Sequence, residues 1–328
     1  MKKLPIIAAS STILLSACGG GDGIMSTRTF AADTPTPALA LAEGKTLTAQ
    51  AVQTAAMNTD YANATTSIKD SVVTISKNAS GELSLTVNGK TYDFDAADRQ
   101  LESDGTTSYG YAVEGVEDAD GNPRYLVLSS NSGSIDDIIN DESNELVYLA
   151  KYLDITDDIE TGMSKGETGW FVVGSETQAA ALGEFTTKSY SGKLRGEAHN
   201  KEDFSSVGNR TEFRSNDVTL SADFQANTIS GTAGNILIRQ RVRGEATPDF
   251  ASVGGEFLFQ NGTIDGADFT GTFSSDETFN ANLGTERFDA SFSGSFFGVE
   301  GEAVGGVIQG SVTDAEGVAT IVGGFTAD

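Results

Sequence analysis

The chain has 328 residues, of which 21 are basic and 47 acidic, for a formal net charge of −26 at neutral pH. Such a charge argues against nucleic acid as a partner, because phosphate backbones are repelled, and the sequence shows no basic patch for docking on anionic lipid. Cys18 is the only cysteine, which excludes an intrachain disulfide, and the length allows about two domains.

The N-terminal segment has the three-part layout of a secretory signal. Two lysines precede a mostly apolar run from 4 to 15, and small residues lead into Cys18. This run is shorter than the about 20 apolar residues that span a bilayer. The sequence LSAC resembles the lipobox of bacterial lipoproteins, which implies that residues 1–17 are removed. The alternative is an ordinary signal peptide followed by a chance cysteine.

The lipobox resemblance implies that Cys18 is acylated and that the lipid bilayer is a partner through this residue. More than one acyl chain makes such an anchor stable. The next residue is Gly19 rather than the aspartate that retains enterobacterial lipoproteins at the inner membrane. This difference indicates the outer membrane.

Residues 18–65 are predicted to form a lipid-anchored flexible tether. The segment begins GGGDG, continues through two Thr-Pro pairs and has little periodic apolar pattern. A segment of this kind buries too little apolar surface to offset the entropy lost on ordering. The Ala-rich stretch 38–57 is the part with local helical potential.

Residues 66–183 are predicted to form an irregular β-rich handle domain. Apolar residues alternate with polar ones over 83–87, and Asn88-Gly89 then precedes another short β-like run, which is a strong hairpin signal. Further β-like runs follow at 109–113, 125–129, 146–153 and 170–173, with acidic loops between them.

The predicted handle also holds a cluster of aromatic residues. Its members are Tyr109, Tyr111, Tyr148, Tyr152 and Trp170. Tyrosine and tryptophan dominate interface hot spots, and tyrosine can ligate haem iron, so these five are the candidate ligand-binding residues. The alternative interpretation is that they form sheet core and cross-strand pairs.

Residues 184–328 are predicted to form a β-barrel or sandwich. Alternating apolar stripes recur at short spacing, including one at 236–242 and the longest at 288–296, and Asn261-Gly262 and Asp265-Gly266 supply turn signals. About eight short strands with glycines inside them are typical of a closed up-and-down barrel. The alternative of an integral membrane barrel is disfavoured, because the stripes lack the aromatic and leucine-rich belt that faces lipid.

Residues 171–328 resemble the barrel-bearing part of the transferrin-binding protein B-like surface lipoproteins, a class that includes factor H-binding protein-like and haemoglobin-receptor-like members. Four stretches carry this resemblance: FVVGSET at 171–177, YSGKLRGEA at 190–198, VTLSADFQANTISGTAGN at 218–235, and FFGVEGEAVGGVIQGSV at 296–312 followed by ATIVGGFTA.

The resemblance implies a soluble eight-stranded antiparallel β-barrel that follows a β-rich handle and is anchored by lipid at the outer membrane. It also implies an outer-membrane translocator that delivers the protein to the cell surface. The implied ligand is a host or environmental protein, or haem, in support of metal acquisition or immune evasion. No ligand-contact motif of the family can be matched here, and the chain has one handle and one barrel, which argues against transferrin itself.

Signals of catalysis or of a bound metal are weak. His199 is the only histidine, it is predicted to lie in a solvated polar loop, and no serine has G-x-S-x-G surroundings. The alternative role for His199 is ligation of haem iron. Asp118, Asp120 and Asn122 follow the spacing of a calcium loop, but Pro123 stands where that loop needs glycine.

The sequence therefore predicts an all-β, lipid-anchored protein that binds a ligand at the cell surface and has no catalytic activity, no metal site and no resident cofactor. The alternative is a periplasm-facing structural lipoprotein of the envelope that captures no ligand.

Overall fold

The computed structural model describes residues 46–47, 52–60, 65–69, 73–77, 83–87, 89–94, 99–101, 109–117, 123–130, 146–157, 164–174, 176–200, 210–242, 246–315 and 317–328. The predicted signal peptide, Cys18 and most of the predicted tether lie outside these residues. None of the helices within them has the length and apolar character needed to cross a bilayer.

The described residues of the first part of the chain form eleven strands. They are β1 (Thr46–Leu47), β2 (Val52–Asp60), β3 (Thr65–Lys69), β4 (Val73–Lys77), β5 (Leu83–Val87), β6 (Lys90–Phe94), β7 (Arg99–Leu101), β8 (Tyr109–Glu117), β9 (Pro123–Ser130), β10 (Val147–Asp157) and β11 (Ser164–Gly174).

In the second part, the residues that the structure describes form ten strands and two short helices. They are α1 (Ala179–Leu182), β12 (Thr187–Asn200), β13 (Arg210–Asp223), β14 (Thr228–Gly234), β15 (Leu237–Arg241), β16 (Ala251–Ser252), β17 (Phe257–Asp265), β18 (Asp268–Ser275), α2 (Glu277–Leu283), β19 (Thr285–Phe297), β20 (Ala303–Asp314) and β21 (Gly317–Ala327).

The handle consists of two antiparallel sheets. One has four strands in the order β1-β4-β5-β6, and the other has seven in the order β3-β2-β11-β10-β9-β8-β7. The predicted hairpin is confirmed: Val87 pairs with Lys90 across the turn, where Gly89 has a φ of +80°. The predicted tether is too long at its C-terminal end, because residues 52–60 form β2 and pair along β11.

The β10–β11 hairpin is buried on both of its faces. Side chains on one face pack against the four-stranded sheet, whereas those on the other face pack against the outside of the barrel. The first face carries Tyr148, Ala150, Tyr152, Phe171 and Val173, and the second carries Val147, Leu149, Trp170 and Val172. Two-sided burial explains why these strands read as continuous apolar runs rather than as an alternation.

The barrel is a closed ring of eight antiparallel strands, as predicted. The order is β12-β21-β20-β19-β18-β17-β14-β13, and β12 pairs with β13 to close the ring. The β10–β11 hairpin of the handle packs against the outer face of β20 and β21, where Val307 and Val322 are among the contacting residues. The predicted domain boundary near 183 falls between β11 and β12.

Two details of the predicted barrel are wrong. The stripe at 236–242 forms β15, which is not part of the ring but pairs with residues 210–214 of β13, beyond the segment of β13 that pairs with β14. The Asn261-Gly262 pair is a bulge inside β17 rather than a turn, with φ of 52° at Asn261. Asparagine tolerates this left-handed conformation because its short side chain hydrogen-bonds locally.

The interior of the barrel is filled by phenylalanine side chains. Within β18, Phe269 and Phe273 point inward and are buried, whereas Thr270 and Thr272 are exposed on the outside. Along β18, apolar side chains therefore face the barrel interior and polar side chains face outward. At Gly271, a Cβ atom would lie 2.4 Å from Cζ of Phe292, so only glycine leaves room for that ring.

Replacing Phe259 by alanine should test the packed interior. Phe259 is 1% exposed, and its ring centroid lies 5.1 Å from that of Phe273 and 4.9 Å from that of Phe325. We expect Phe259→Ala to lower the free energy of unfolding by about 3–5 kcal/mol, because it leaves a cavity. Urea denaturation measures this loss, and Val318→Ala, at a residue that is 54% exposed, is the control. A loss below about 1 kcal/mol for Phe259→Ala would contradict this packing.

Candidate functional site

Three of the five candidate aromatic residues are buried in the handle. Tyr148 and Tyr152 are 1% and 0% exposed and belong to the core between the two handle sheets. The hydroxyl of Tyr152 donates a hydrogen bond to Glu167. Trp170 is 5% exposed and packs at the contact between handle and barrel. Because β10 and β11 are covered on both faces, a ligand on the surface does not reach these rings. The three residues are therefore part of the sheet core.

The other two candidates lie on the seven-stranded sheet. Tyr109 and Tyr111 belong to β8, where their backbones pair with Leu101 and Arg99 of the edge strand β7. Their side chains lie outside what the structure describes, so their role as ligand contacts stays a prediction. Asp118, Asp120 and Asn122, which follow the spacing of a calcium loop, also lie outside the described residues.

A buried carboxylate joins the handle to the barrel. Glu197 lies on β12 among residues that face outward, because its neighbours Leu194 and Gly196 face the barrel interior. Its side chain is only 1% exposed, since the handle hairpin lies over it. The ammonium group of Lys151 on β10 pairs with it, and the hydroxyl of Thr168 on β11 donates to it at 2.6 Å.

Neighbouring strands extend these contacts into a charged network. On β13, Nε of Arg210 lies 3.4 Å from Glu197, and Nη2 of the same residue lies 2.6 Å from Glu212. On β15, Nε of Arg239 donates to Glu212 at 2.6 Å, and Nη1 of Arg241 lies 3.4 Å from it. We call the residues Lys151, Glu197, Arg210, Glu212, Arg239 and Arg241 the charged seam.

His199 does not lie in a solvated loop as the sequence suggested. β12 continues to residue 200, which places His199 on the same outward row as Glu197, at 4% exposed. Its Nε2 lies 3.6 Å from Oε1 of Glu197, which is too long for a hydrogen bond. Neither ring nitrogen has a hydrogen-bond partner among the described residues.

Burial and charge act in opposite directions on the carboxylates of the charged seam. Burial raises the pKa of Glu197, but Lys151, His199 and Arg210 outweigh it and hold that pKa well below its usual range. Burial is likewise outweighed at Glu212, where Arg210 and Lys151 hold the pKa below normal. At Lys151 burial prevails over the attraction of Glu197 and lowers the pKa. Both carboxylates are therefore ionised at neutral pH.

The geometry of the charged seam suits a structural contact between handle and barrel better than it suits catalysis. We call this contact, the ion pairs and hydrogen bonds around Glu197, the latch. Both carboxylates are held by cations, which leaves neither of them protonated to act as a general acid at neutral pH. Within the described residues, no group of three or more histidine, cysteine, aspartate or glutamate side chains could hold a metal ion.

The tertiary structure also assembles the basic surface that the sequence did not show. Five arginines lie in outward rows of β12, β13 and β15, because the alternate residues on these strands face the interior, as Phe213 and Ile238 do. We call them the arginine face: Arg195, Arg210, Arg214, Arg239 and Arg241. Together with Lys151 they outnumber Glu197 and Glu212 by four charges, in a chain of net charge −26.

Sequence reasoning missed these residues, although a local signal was present. Charged residues alternate with other residues in Arg195-Gly-Glu197 and in Glu212-Phe-Arg214, which is the period of a strand face. The missing information was which strands are neighbours, since β13 and β15 are separated by β14 along the chain.

Comparison with known proteins yields structural matches only. No protein-family model matches the sequence, and no curated protein matches it. Among solved structures, intact Ap-TbpB with its N and C lobes is 16% identical, with a TM-score of 0.41 over 84% of this chain and 46% of that one. A double mutant of transferrin-binding protein B from Haemophilus parasuis is 17% identical, with a TM-score of 0.41 over 84% and 44%.

A third similar structure is isotype 1 transferrin-binding protein B from serogroup B Neisseria meningitidis. It is 16% identical, with a TM-score of 0.39 over 84% of this chain and 43% of that one. This chain thus spans less than half the length of each of these proteins. Its architecture of handle and barrel rests on the strand pairings described above.

Replacing Glu197 by glutamine should weaken the latch between handle and barrel. Because the substitution leaves Lys151 and Arg210 beside a neutral group, we expect a loss of about 3–5 kcal/mol in the free energy of unfolding. Arg287→Gln is the matched control, since Arg287 and Asp289 form a pair at 2.7 Å with side chains 72% and 64% exposed. That change should cost less than about 1 kcal/mol. Equal losses for the two variants in urea denaturation would contradict the latch.

The charged seam should also make stability depend on acid. Glu197 and Glu212 have lower pKa values in the folded chain than in the unfolded one. Their contribution is therefore complete above the unfolded pKa of about 4.3 and is lost as the pH falls through the folded pKa. We expect the stability difference between the wild type and Glu197→Gln to narrow below about pH 4. A difference that stays constant from pH 7 to the acid limit of folding would show that ionisation of Glu197 is not its source.

Proposed function

We propose that this protein is a lipid-anchored outer-membrane protein, displayed on the cell surface, that binds a protein ligand in support of metal acquisition. It acts by binding and not by catalysis, and it has no resident cofactor. Cys18 supplies the lipid anchor, and a translocator of the outer membrane delivers the protein to the surface. The resemblance of residues 171–328 to surface lipoproteins motivates the location and the role.

The filled interior of the barrel supports binding of the ligand at the outer surface of the protein. The rings of Phe259, Phe292 and Phe325 are 2% exposed or less and lie within 6.3 Å of one another, centroid to centroid. A small molecule has no space between them, unlike in barrels that hold a ligand in their interior. The ligand must then contact the outer surface or the loops, and a broad outer surface suits a macromolecule.

The junction between handle and barrel supports the same role. Apolar contacts of Leu149 and Trp170 with the barrel, together with the latch at Glu197, hold the two parts against each other. A surface that is already ordered loses little conformational entropy when a partner binds. The whole molecule can therefore present a preformed platform.

Haem is the second candidate ligand. The observation that favours it is the position of Tyr109 and Tyr111 on β8, next to the edge strand of the seven-stranded sheet, because tyrosine can ligate haem iron. Tyr148 and Tyr152 cannot serve a surface-bound haem, since both are buried.

Protease treatment of intact cells tests the location. We expect the wild-type protein to be degraded while a periplasmic marker stays intact, because the protease does not cross the outer membrane. Cys18→Ala should remove palmitate labelling and release the protein from the membrane fraction, since a single residue carries the anchor.

Two outcomes of this experiment would contradict the proposal. Survival of the wild type until the outer membrane is broken would place the protein inside and favour a structural role in the envelope. Unchanged palmitate labelling of Cys18→Ala would remove the proposed anchor.

A further inference from the structure

Two pairs of arginines stand directly opposite each other on the arginine face. Arg195 of β12 pairs in register with Arg214 of β13, and Arg210 of β13 with Arg241 of β15. Like charges at such positions destabilise a sheet, because their side chains start only about 5 Å apart. Each pair therefore needs either a neighbouring anion that offsets the repulsion or a function that explains why both arginines are present.

Only one of the two pairs has its anion within the described part of the chain. Arg210 and Arg241 share the carboxylate of Glu212. Arg195 instead donates to the carbonyl oxygens of Leu194 and Ser215 at 2.8 Å and to the amide oxygen of Asn216 at 2.6 Å, all of which are neutral. Ion pairs to Arg195 or Arg214 are absent among the described residues.

The side chain of Arg214 carries a buried donor, its Nε atom. This atom is inaccessible to water and lacks a hydrogen-bond partner within the described structure. A buried donor of this kind destabilises the fold unless it is satisfied. Burial, and then the charge of Arg214, lowers the pKa of Arg195 to about 10, which still leaves the Arg195 guanidinium group charged at neutral pH.

An aromatic ring holds the guanidinium groups in place. Cζ of Arg214 lies 3.7 Å, and Cζ of Arg239 4.3 Å, from the centroid of the Phe250 ring. Guanidinium groups stack on aromatic rings and present a planar fork of donors that matches a carboxylate. The stacking orients these donors before any ligand arrives, which reduces the entropy cost of binding.

We propose that Arg195, Arg214 and Phe250 form a binding surface for carboxylates in a short acidic segment of a protein partner. This proposal rests on the proposed function and names the chemistry of the ligand. The anion supplies the counter-charge that no described residue gives to the pair, and bidentate arginine–carboxylate hydrogen bonds are among the strongest in proteins.

Charge favours a short acidic segment over an extended polyanion. The chain carries −26 overall, so a long nucleic acid or sulfated polysaccharide would run from the arginine face into repulsive surface. At physiological ionic strength the screening length is about 8 Å. Negative charges farther away than this therefore repel carboxylates bound at Arg195 and Arg214 only weakly.

A peptide-binding titration tests this assignment. Full-length protein purified in detergent is titrated, at physiological salt, into a fluorescein-labelled peptide of eight glutamates, and anisotropy reports binding. We expect saturable binding that Arg195→Gln and Arg214→Gln each weaken by at least about tenfold, because each removes a charge-assisted contact. The control Arg287→Gln, at an arginine already paired with Asp289, should leave the affinity unchanged.

Thermal unfolding of the same variants gives an independent readout. Since each glutamine relieves repulsion within the pair, Arg214→Gln should keep or raise Tm while it loses binding. If that variant does not fold, Arg214→Lys keeps the charge but not the planar fork and should still weaken binding severalfold.

Three results would overturn the proposal: no saturable binding of the peptide, an equal loss with Arg287→Gln, or tighter and arginine-dependent binding of a sulfated octasaccharide. The peptide titration uses purified protein, so its result does not depend on whether cells display the protein on their surface. A periplasmic location would therefore defeat the proposed function while leaving the peptide result intact.

Discussion

The β10–β11 hairpin is the element on which the rest of the molecule depends. One face completes the core of the handle through Tyr148 and Phe171, and the opposite face meets the barrel through Leu149 and Val172. Because successive side chains of a strand point to opposite sides, a single hairpin can serve two cores at once. Burial of both faces explains why the tyrosines on this hairpin are structural.

The same hairpin determines where charge can be buried. Lys151 and Thr168 come from its barrel-facing side and reach Glu197, which without them would be a desolvated carboxylate with fewer partners. A buried carboxylate that lacks partners costs several kcal/mol, whereas one held by several donors is tolerated. The charged seam therefore orients handle and barrel through specific partners, in addition to the apolar contact beside it.

Local patterns predicted the elements of this fold well where the physics is local. The turn at Gly89 follows from its backbone freedom, and strands such as β18 follow from apolar residues that alternate with polar ones. Prediction was wrong where two local structures share one signal. Asn261-Gly262 suits a turn or a bulge equally, because both accept a positive φ, and only the neighbouring strands select the bulge.

The sequence by itself determined that the chain is all-β, because periodicity and turn chemistry act between residues close along the chain. Its resemblance to surface lipoproteins implied a handle followed by a barrel. Only the tertiary structure decided that His199 is buried, that Tyr148 and Tyr152 are core, and that scattered arginines form one face. The physical reason is that burial and charge pairing depend on which strands become neighbours. Ring closure and the docking of the handle bring together residues that are far apart in sequence.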